Sequence, residues 1–273
     1  MGTAYAERLS EKGFTLLLYS RRPHAARELA TRLGARVASE SDLLEPDTIV
    51  VNAGWDDEYL ISLANLVRQG HSILVNTATV SPAASLKAGR IVGESRYLEA
   101  PVAGGPGVAR EGKLPIIIAY WDKAVYDKAR LVIEALASTV IHAGEPPRAM
   151  VVKLAFNNLL FTAIAGFASS MRLDASWGID LDVFKRLLES TWLRVIVERY
   201  WERALTERPA SFRLAGAIKD LYLALGAHAE KGSPASSTMG ALNEYLEAMR
   251  VCGGDVDYTN VVRCNLEKPG EKS

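Results

Sequence analysis

The chain has 273 residues, 49% apolar and 23% charged, a mixture that folds and that excludes a mainly disordered or fibrous protein. At roughly 150 residues per domain, two domains are expected. Lys plus Arg and Asp plus Glu each number 32, so the overall charge offers nothing to a polyanion such as nucleic acid, and any cationic site must be local.

Residues 1–14 carry Glu7, Arg8, Glu11 and Lys12 and lack the apolar core of a signal peptide. They read instead as an amphipathic helix with Ala4, Ala6 and Leu9 on one face. Short β-rich runs then alternate with helices such as residues 23–33. The runs are residues 14–20 (FTLLLYS), 47–53 (DTIVVNA), 72–78 (SILVNTA), 97–103 (YLEAPVA), 114–120 (LPIIIAY) and 139–144 (TVIHAG). Near-continuous apolar runs of this length predict strands buried on both faces of a largely parallel sheet, a doubly wound α/β domain of the Rossmann type.

After Gly144 a Glu-Pro-Pro-Arg turn precedes an apolar-periodic stretch over residues 149–177. At about 1.5 Å per residue it predicts a helix of roughly 40 Å. Residues 181–203, 214–231 and 236–251 also carry helical periodicity and no convincing strand. The expected domains are therefore 1–147, dinucleotide-binding, and 148–273, all-α. The most apolar part, residues 151–168, is interrupted by Lys153, Asn157 and Asn158 and is expected to fail as a membrane span. Cys252 and Cys264 are expected to form neither a disulfide framework nor a metal site, which suits a reducing cytoplasm. His24, His71, His142 and His228 are scattered, so no metal is expected. In the long helix, Leu154, Phe161, Phe167 and Trp177 predict more apolar surface than one small helical domain covers.

A dinucleotide fold normally opens with a strand and a G-x-G-x-x-G turn. Here Gly2 fits the last of those glycines, an ordinary N-terminal glycine being the alternative. The ribose-reading position is expected about 20 residues on, and Ser20 at the end of FTLLLYS lies 18 residues after Gly2. On this reading the chain lacks the first strand and the first two glycines, as an internal start codon would produce. An acidic side chain at position 20 would suit a free ribose 2'-hydroxyl, whereas Ser20-Arg21-Arg22 suits a 2'-phosphate held by guanidinium forks, and so predicts NADP. Farther on, Glu99-Ala-Pro-Val-Ala-Gly-Gly105 ends a strand in adjacent glycines, whose N–H groups can bind a carboxylate. Lys153 and Asn157, four apart, share one face of the long helix, and a lysine within an apolar face is either a snorkelling residue or a desolvated functional amine.

Taken together, MGTAYAERL, LYSRR, NTATVSP, EAPVAGG, KLAFNN and IKDLYLAL, in that order and spacing, resemble the β-hydroxyacid dehydrogenase family, which holds 3-hydroxyisobutyrate, tartronate semialdehyde and 6-phosphogluconate dehydrogenases. The resemblance implies a C-terminal domain like that of 6-phosphogluconate dehydrogenase, an NADP-dependent exchange of a small 3-hydroxy acid with its semialdehyde, and a dimer or tetramer formed through C-terminal helices. It implies Lys153 as general acid/base and Asn157 as its orienting partner. Thr79 and Lys219 would lie near the cofactor, and Ala103, Gly104 and Gly105 would hold the substrate. The chain departs from the family pattern at Ala103, where the family has a serine, at Pro147-Arg148-Ala149 in place of Gly-x-Gly, and at Ala119-Tyr120-Trp121 in place of a Gly-Gly hairpin. Reduction of an imine or another aldehyde, or dinucleotide binding without catalysis, are the alternative expectations.

Overall fold

The computed structural model describes residues 1–20 and 23–266, and the chain divides into two compact units, Met1–Lys153 and Leu154–Ser273.

In the first unit α1 (Gly2–Glu11) buries Ala4, Tyr5, Ala6 and Leu9, the face expected from its periodicity. There follow β1 (Leu17–Leu18), α2 (Pro23–Leu33), β2 (Arg36–Val37), β3 (Ile49–Asn52), α3 (Asp57–Val67), β4 (Ile73–Asn76) and α4 (Pro82–Val92). Then come β5 (Tyr97–Glu99), α5 (Pro106–Arg110), β6 (Leu114–Ala119), α6 (Lys123–Leu136) and β7 (Ala137–Gly144). Among the described residues β1 and β2 pair in parallel, and a second sheet has the order β3-β4-β5-β6-β7. Both of its faces are covered. Ile73, Val75, Leu98, Ile116 and Ile118 pack into one apolar cluster, while Leu74 and Tyr97 pack into another. This two-sided burial is why the strands read as continuous rather than alternating apolar runs.

Parallel pairing joins β3 to β4, β4 to β5 and β6 to β7, but β6 runs antiparallel to β5. A parallel neighbour needs a crossover of a dozen or more residues, which α6 supplies between β6 and β7. Between β5 and β6 the chain instead doubles back. Pro101 has no N–H to give, but its carbonyl accepts from Ile117 N at 3.0 Å, and Ala103 N donates to the Pro115 carbonyl at 2.9 Å. The expected strand 14–20 contracts to Leu17–Leu18, and its short partner Arg36–Val37, exposed at both residues, carries no apolar run that would announce it.

The long helix is α7 (Arg148–Ser176), which starts in the first unit and continues into the second. After it come α8 (Leu181–Glu189), α9 (Arg194–Leu205), α10 (Leu214–Glu230), α11 (Ser236–Cys252) and α12 (Val261–Leu266). The single helix expected over 181–203 is broken at residues 190–193, where Thr191 Oγ1 accepts from Leu193 N at 3.2 Å and restarts the chain as α9. Phe161 anchors the second unit's core, stacked on Phe212 at 5.9 Å and edge-on to Tyr258 at 5.5 Å.

Three expectations are corrected. Cys252 and Cys264 form a disulfide with Cα atoms 6.0 Å apart, because the Gly253-Gly254 turn and the 3-10 turn at Tyr258–Asn260 fold α12 back toward the end of α11. Leu154, Phe161 and Phe167 are buried rather than outward-facing, and of the four apolar residues expected at the surface Trp177 is the exposed one, at 79%. By length and composition alone, α7 is sufficient to cross a membrane, since three polar residues do not offset its apolar remainder. Its most apolar stretch is 44% buried inside the protein.

Candidate active site

Ligands of open α/β sheets lie beyond the carboxyl ends of the strands, and several expected residues stand there. Thr79 is half-buried, three residues past β4, and Ser20 is half-buried, two residues past β1; Arg21 and Arg22 lie outside the described residues. A Cβ at Gly2, the first residue of α1, would meet Ala53 Cβ at 3.5 Å, an ordinary contact, so the helix starts close to the end of β3 with room for a methyl group. The residue that demands glycine is Gly54. A Cβ there would lie 2.0 Å from Tyr59 Cδ1, and Gly54 N donates to Asn52 Oδ1 at 2.8 Å, closing a tight turn after β3.

The residues present fit a dinucleotide. Among the described residues α1 has no side-chain cap and no acid in its first turn, which leaves N–H groups and the positive end of the helix dipole for an anion such as a diphosphate. Ser20 and Thr79, which carry hydroxyl groups, follow the ends of β1 and β4.

Ala103, Gly104 and Gly105 occupy the turn between β5 and β6. Gly104 has φ +135°, and a Cβ there would come within 2.9 Å of Leu114 Cδ2, so both backbone conformation and space require glycine. Gly105 precedes α5 in extended conformation.

Lys153 is 7% exposed and Asn157, one helical turn later on α7, is 4% exposed. In the second unit the Asn157 Nδ2 donates to Asp220 Oδ2 at 2.6 Å, and Lys219 Nζ lies 2.8 Å from Asp220 Oδ1. The structure thus joins two of the expected residues, Asn157 and Lys219, through one that sequence reasoning passed over. Asp220 fixes the amide of Asn157 so that its nitrogen faces the carboxylate, leaving Oδ1 as the acceptor end. The signal was present in the Lys-Asp pair of IKDLYLAL, but the partner lies 63 residues away.

Glu99 was also missed. It is fully buried at the end of β5, where Oε1 accepts from the Ser85 hydroxyl and Oε2 accepts from Ala149 N at 3.1 Å and Met150 N at 3.4 Å. Burial pushes its carboxyl up to about 7, against the opposing pull of these hydrogen bonds. Ser85 also bonds Tyr97 Oη at 2.6 Å, Asn76 Nδ2 donates to Tyr97 Oη at 3.3 Å, and Asn52 Nδ2 donates to Asn76 Oδ1 at 2.9 Å. A polar chain through the first unit therefore runs from the end of β3 to the first turn of α7. A carboxylate in an otherwise apolar strand run, as in YLEAPVA, is the sequence signal for such a partner.

Residues 1–144 match the family of the NAD binding domain of 6-phosphogluconate dehydrogenase. An uncharacterized oxidoreductase of Mycobacterium tuberculosis is 31% identical over 192 residues, a match that spans 66% of this chain but 63% of that protein. 3-Hydroxyisobutyrate dehydrogenase of Pseudomonas aeruginosa is 28% identical over 286 residues, covering 98% of this chain and 94% of the enzyme. In fold, the chain is similar to Mycobacterium tuberculosis 3-hydroxyisobutyrate dehydrogenase solved with L-serine, with a TM-score of 0.83, 20% identity, and coverage of 96% and 94%. It is also similar to an imine reductase from Myxococcus stipitatus in complex with NAD+, with a TM-score of 0.60, 19% identity, and coverage of 97% and 95%. At such identities these two likenesses speak for the fold, while the matched domain, the relatives and the Rossmann-type sheet followed by helices agree on lineage: the chain belongs to the β-hydroxyacid dehydrogenase family.

Proposed function

We propose that the chain is an NADP-dependent oxidoreductase that interconverts a small 3-hydroxy acid and its semialdehyde. The observation that carries this reading is a lysine, Lys153, buried on a largely apolar helix one turn from a buried Asn157 whose amide is locked by Asp220. Burying an amine beside fixed polar groups costs free energy that a purely structural residue would avoid.

When bound, the nicotinamide supplies or accepts the hydride. The chain's own residues handle the proton and the orientation. Lys153 Nζ takes the hydroxyl proton during oxidation and returns one during reduction, and Asn157 orients the hydroxyl. The N–H groups of Gly104 and Gly105 hold the carboxylate, with Ala103 contributing no hydroxyl to it. Arg21 and Arg22, following Ser20, favour a 2'-phosphate. The same reading expects a cytoplasmic protein with more than one copy per assembly, which light scattering at micromolar concentration checks.

Lys153→Ala is expected to slow single-turnover oxidation of 3-hydroxyisobutyrate by roughly 10² to 10⁴ with NADPH affinity largely intact. Arg at this position is expected not to rescue, since guanidinium does not release its proton near neutral pH. A snorkelling lysine would tolerate Arg with almost full activity, and that result would sink the reading. NADPH is expected to bind at least about tenfold tighter than NADH, a gap that Arg21→Ala narrows. Equal affinities would remove the NADP assignment. Ala103 favours one second reading, reduction of an imine, which a cyclic imine assayed beside the hydroxy acid separates.

A further inference from the structure

We infer that Glu99 is a positioning residue, its buried carboxylate holding the first turn of α7 and thereby the place of Lys153. This rests on the reading of Lys153 as acid/base. No family motif read from the sequence gives Glu99 a task beyond ending a strand, and the turn that follows it, Gly104-Gly105, would need no carboxylate there.

The argument starts from what a helix leaves undone. The first N–H groups of α7 have no acceptor within their own helix. α7 starts at Arg148, so Ala149 and Met150 stand in its first turn, and their N–H groups point to Glu99 Oε2 from 50 and 51 residues away in sequence. A single oxygen shared by two successive amides fixes where the helix begins and how it is rotated about its axis. Lys153 follows Met150 by three residues on that helix, close to one turn, so its direction is set by the rotation of the first turn. The other oxygen of Glu99 is tied to Ser85 on α4, and Ser85 to Tyr97 on β5. The carboxylate therefore cannot drift. It couples the sheet and α4 to the start of the helix that bears the amine. Pro147 just before the helix lacks an N–H and can donate nothing of its own to this oxygen.

The test compares Glu99→Gln, which keeps length and an acceptor oxygen, with Glu99→Ala, which removes both. Amide exchange at Ala149 and Met150, followed by mass spectrometry or NMR without cofactor, reads the hold on the helix. Single-turnover oxidation of 3-hydroxyisobutyrate with NADP+ reads its consequence, and NADPH titration controls for the cofactor site. Glu99→Ala is expected to lose at least about tenfold of protection at the two amides and at least about tenfold in the single-turnover rate, with NADPH affinity within about twofold. Glu99→Gln is expected to stay within about threefold of the parent in both. Unchanged exchange in Glu99→Ala would overturn the inference, as would lost protection with an unchanged rate. If Glu99→Ala does not fold, Glu99→Gln decides alone: parent-like rate and protection support the hold, whereas a rate tenfold lower with protection intact overturns it. Parent-like turnover by Lys153→Ala would remove the acid/base reading and leave the exchange result standing, so the two failures can be told apart.

Discussion

Two buried carboxylates, one in each unit, show how differently this chain handles the same chemical group. Asp257 in the second unit, before the 3-10 turn at Tyr258–Asn260, accepts from Arg203 Nε at 3.1 Å and Nη2 at 3.0 Å, from Ser211 N at 2.9 Å and from Thr259 Oγ1 at 2.8 Å. Burial alone would raise its pKa, yet the guanidinium and the donors around it hold the carboxyl below the ordinary range. Glu99 is met by a hydroxyl and two backbone N–H groups, and burial carries it the other way, up to about 7. A counter-charge makes a carboxylate into a fastener. Dipoles alone leave it able to change its protonation near neutral pH. The first arrangement pins α9 to the start of the 3-10 turn; the second sits where the proposed chemistry needs a helix placed.

The contrast can be broken most forcefully at Asp257. Replacing it with Ala strands the partly buried Arg203 charge, and a loss of about 3 to 5 kcal/mol is expected from breaking such a pair. Denaturant unfolding followed by a probe in the second unit checks this, and a loss below 1 kcal/mol would show that Arg203 finds water at little cost. The pair also predicts acid sensitivity. A depressed carboxyl contributes stability that is full above its unfolded pKa and is lost as pH falls through the lower folded value.

Glu99 predicts the opposite sign. Its pKa rises on folding from 4.5 to about 7, so the native state holds a proton that the unfolded chain releases. Stability should therefore fall between those two pH values, by about 3 kcal/mol in all, and change no further above them. Comparing the parent with Glu99→Gln isolates this slope, and identical pH dependence in the two proteins would contradict it.

The smallest effect lies at Ser81, an intermediate case. Its hydroxyl caps α4 by accepting from Ala84 N at 3.0 Å and donates to the half-buried Asp57 carboxylate at 2.5 Å. Ser81→Ala should cost about 1 kcal/mol, the ordinary worth of such a cap, and thermal unfolding reads it.

Periodicity was a good guide wherever one element decided its own fate. The helix read as residues 149–177 is Arg148–Ser176, and the helical segments at 214–231 and 236–251 lie within a residue of α10 and α11. It failed where a partner far along the chain decided. Arg36–Val37 forms a strand because β1 offers it an edge, and the disulfide depends on a turn that brings two helices together. The site divides along the same line. Lys153 and Asn157 could be proposed from sequence because helical spacing places them on one face, whereas Asp220 and Glu99 bond backbone or side chains 50 or more residues away.

The polar chain ending at Glu99 also has a sense. Asn52 donates to Asn76, Asn76 to Tyr97, and Ser85 to an ionised carboxylate that can only accept, which obliges Tyr97 to donate to Ser85. Every proton in the row points toward α7. A proton arriving on Glu99 turns its last acceptor into a possible donor, and the row can then reverse only if hydroxyls rotate and the amide of Asn76 turns over. Asn76 Oδ1 also accepts from Ala78 N at 3.2 Å, next to Thr79. One proton at the start of α7 would thereby be felt, bond by bond, at the loop proposed to face the cofactor.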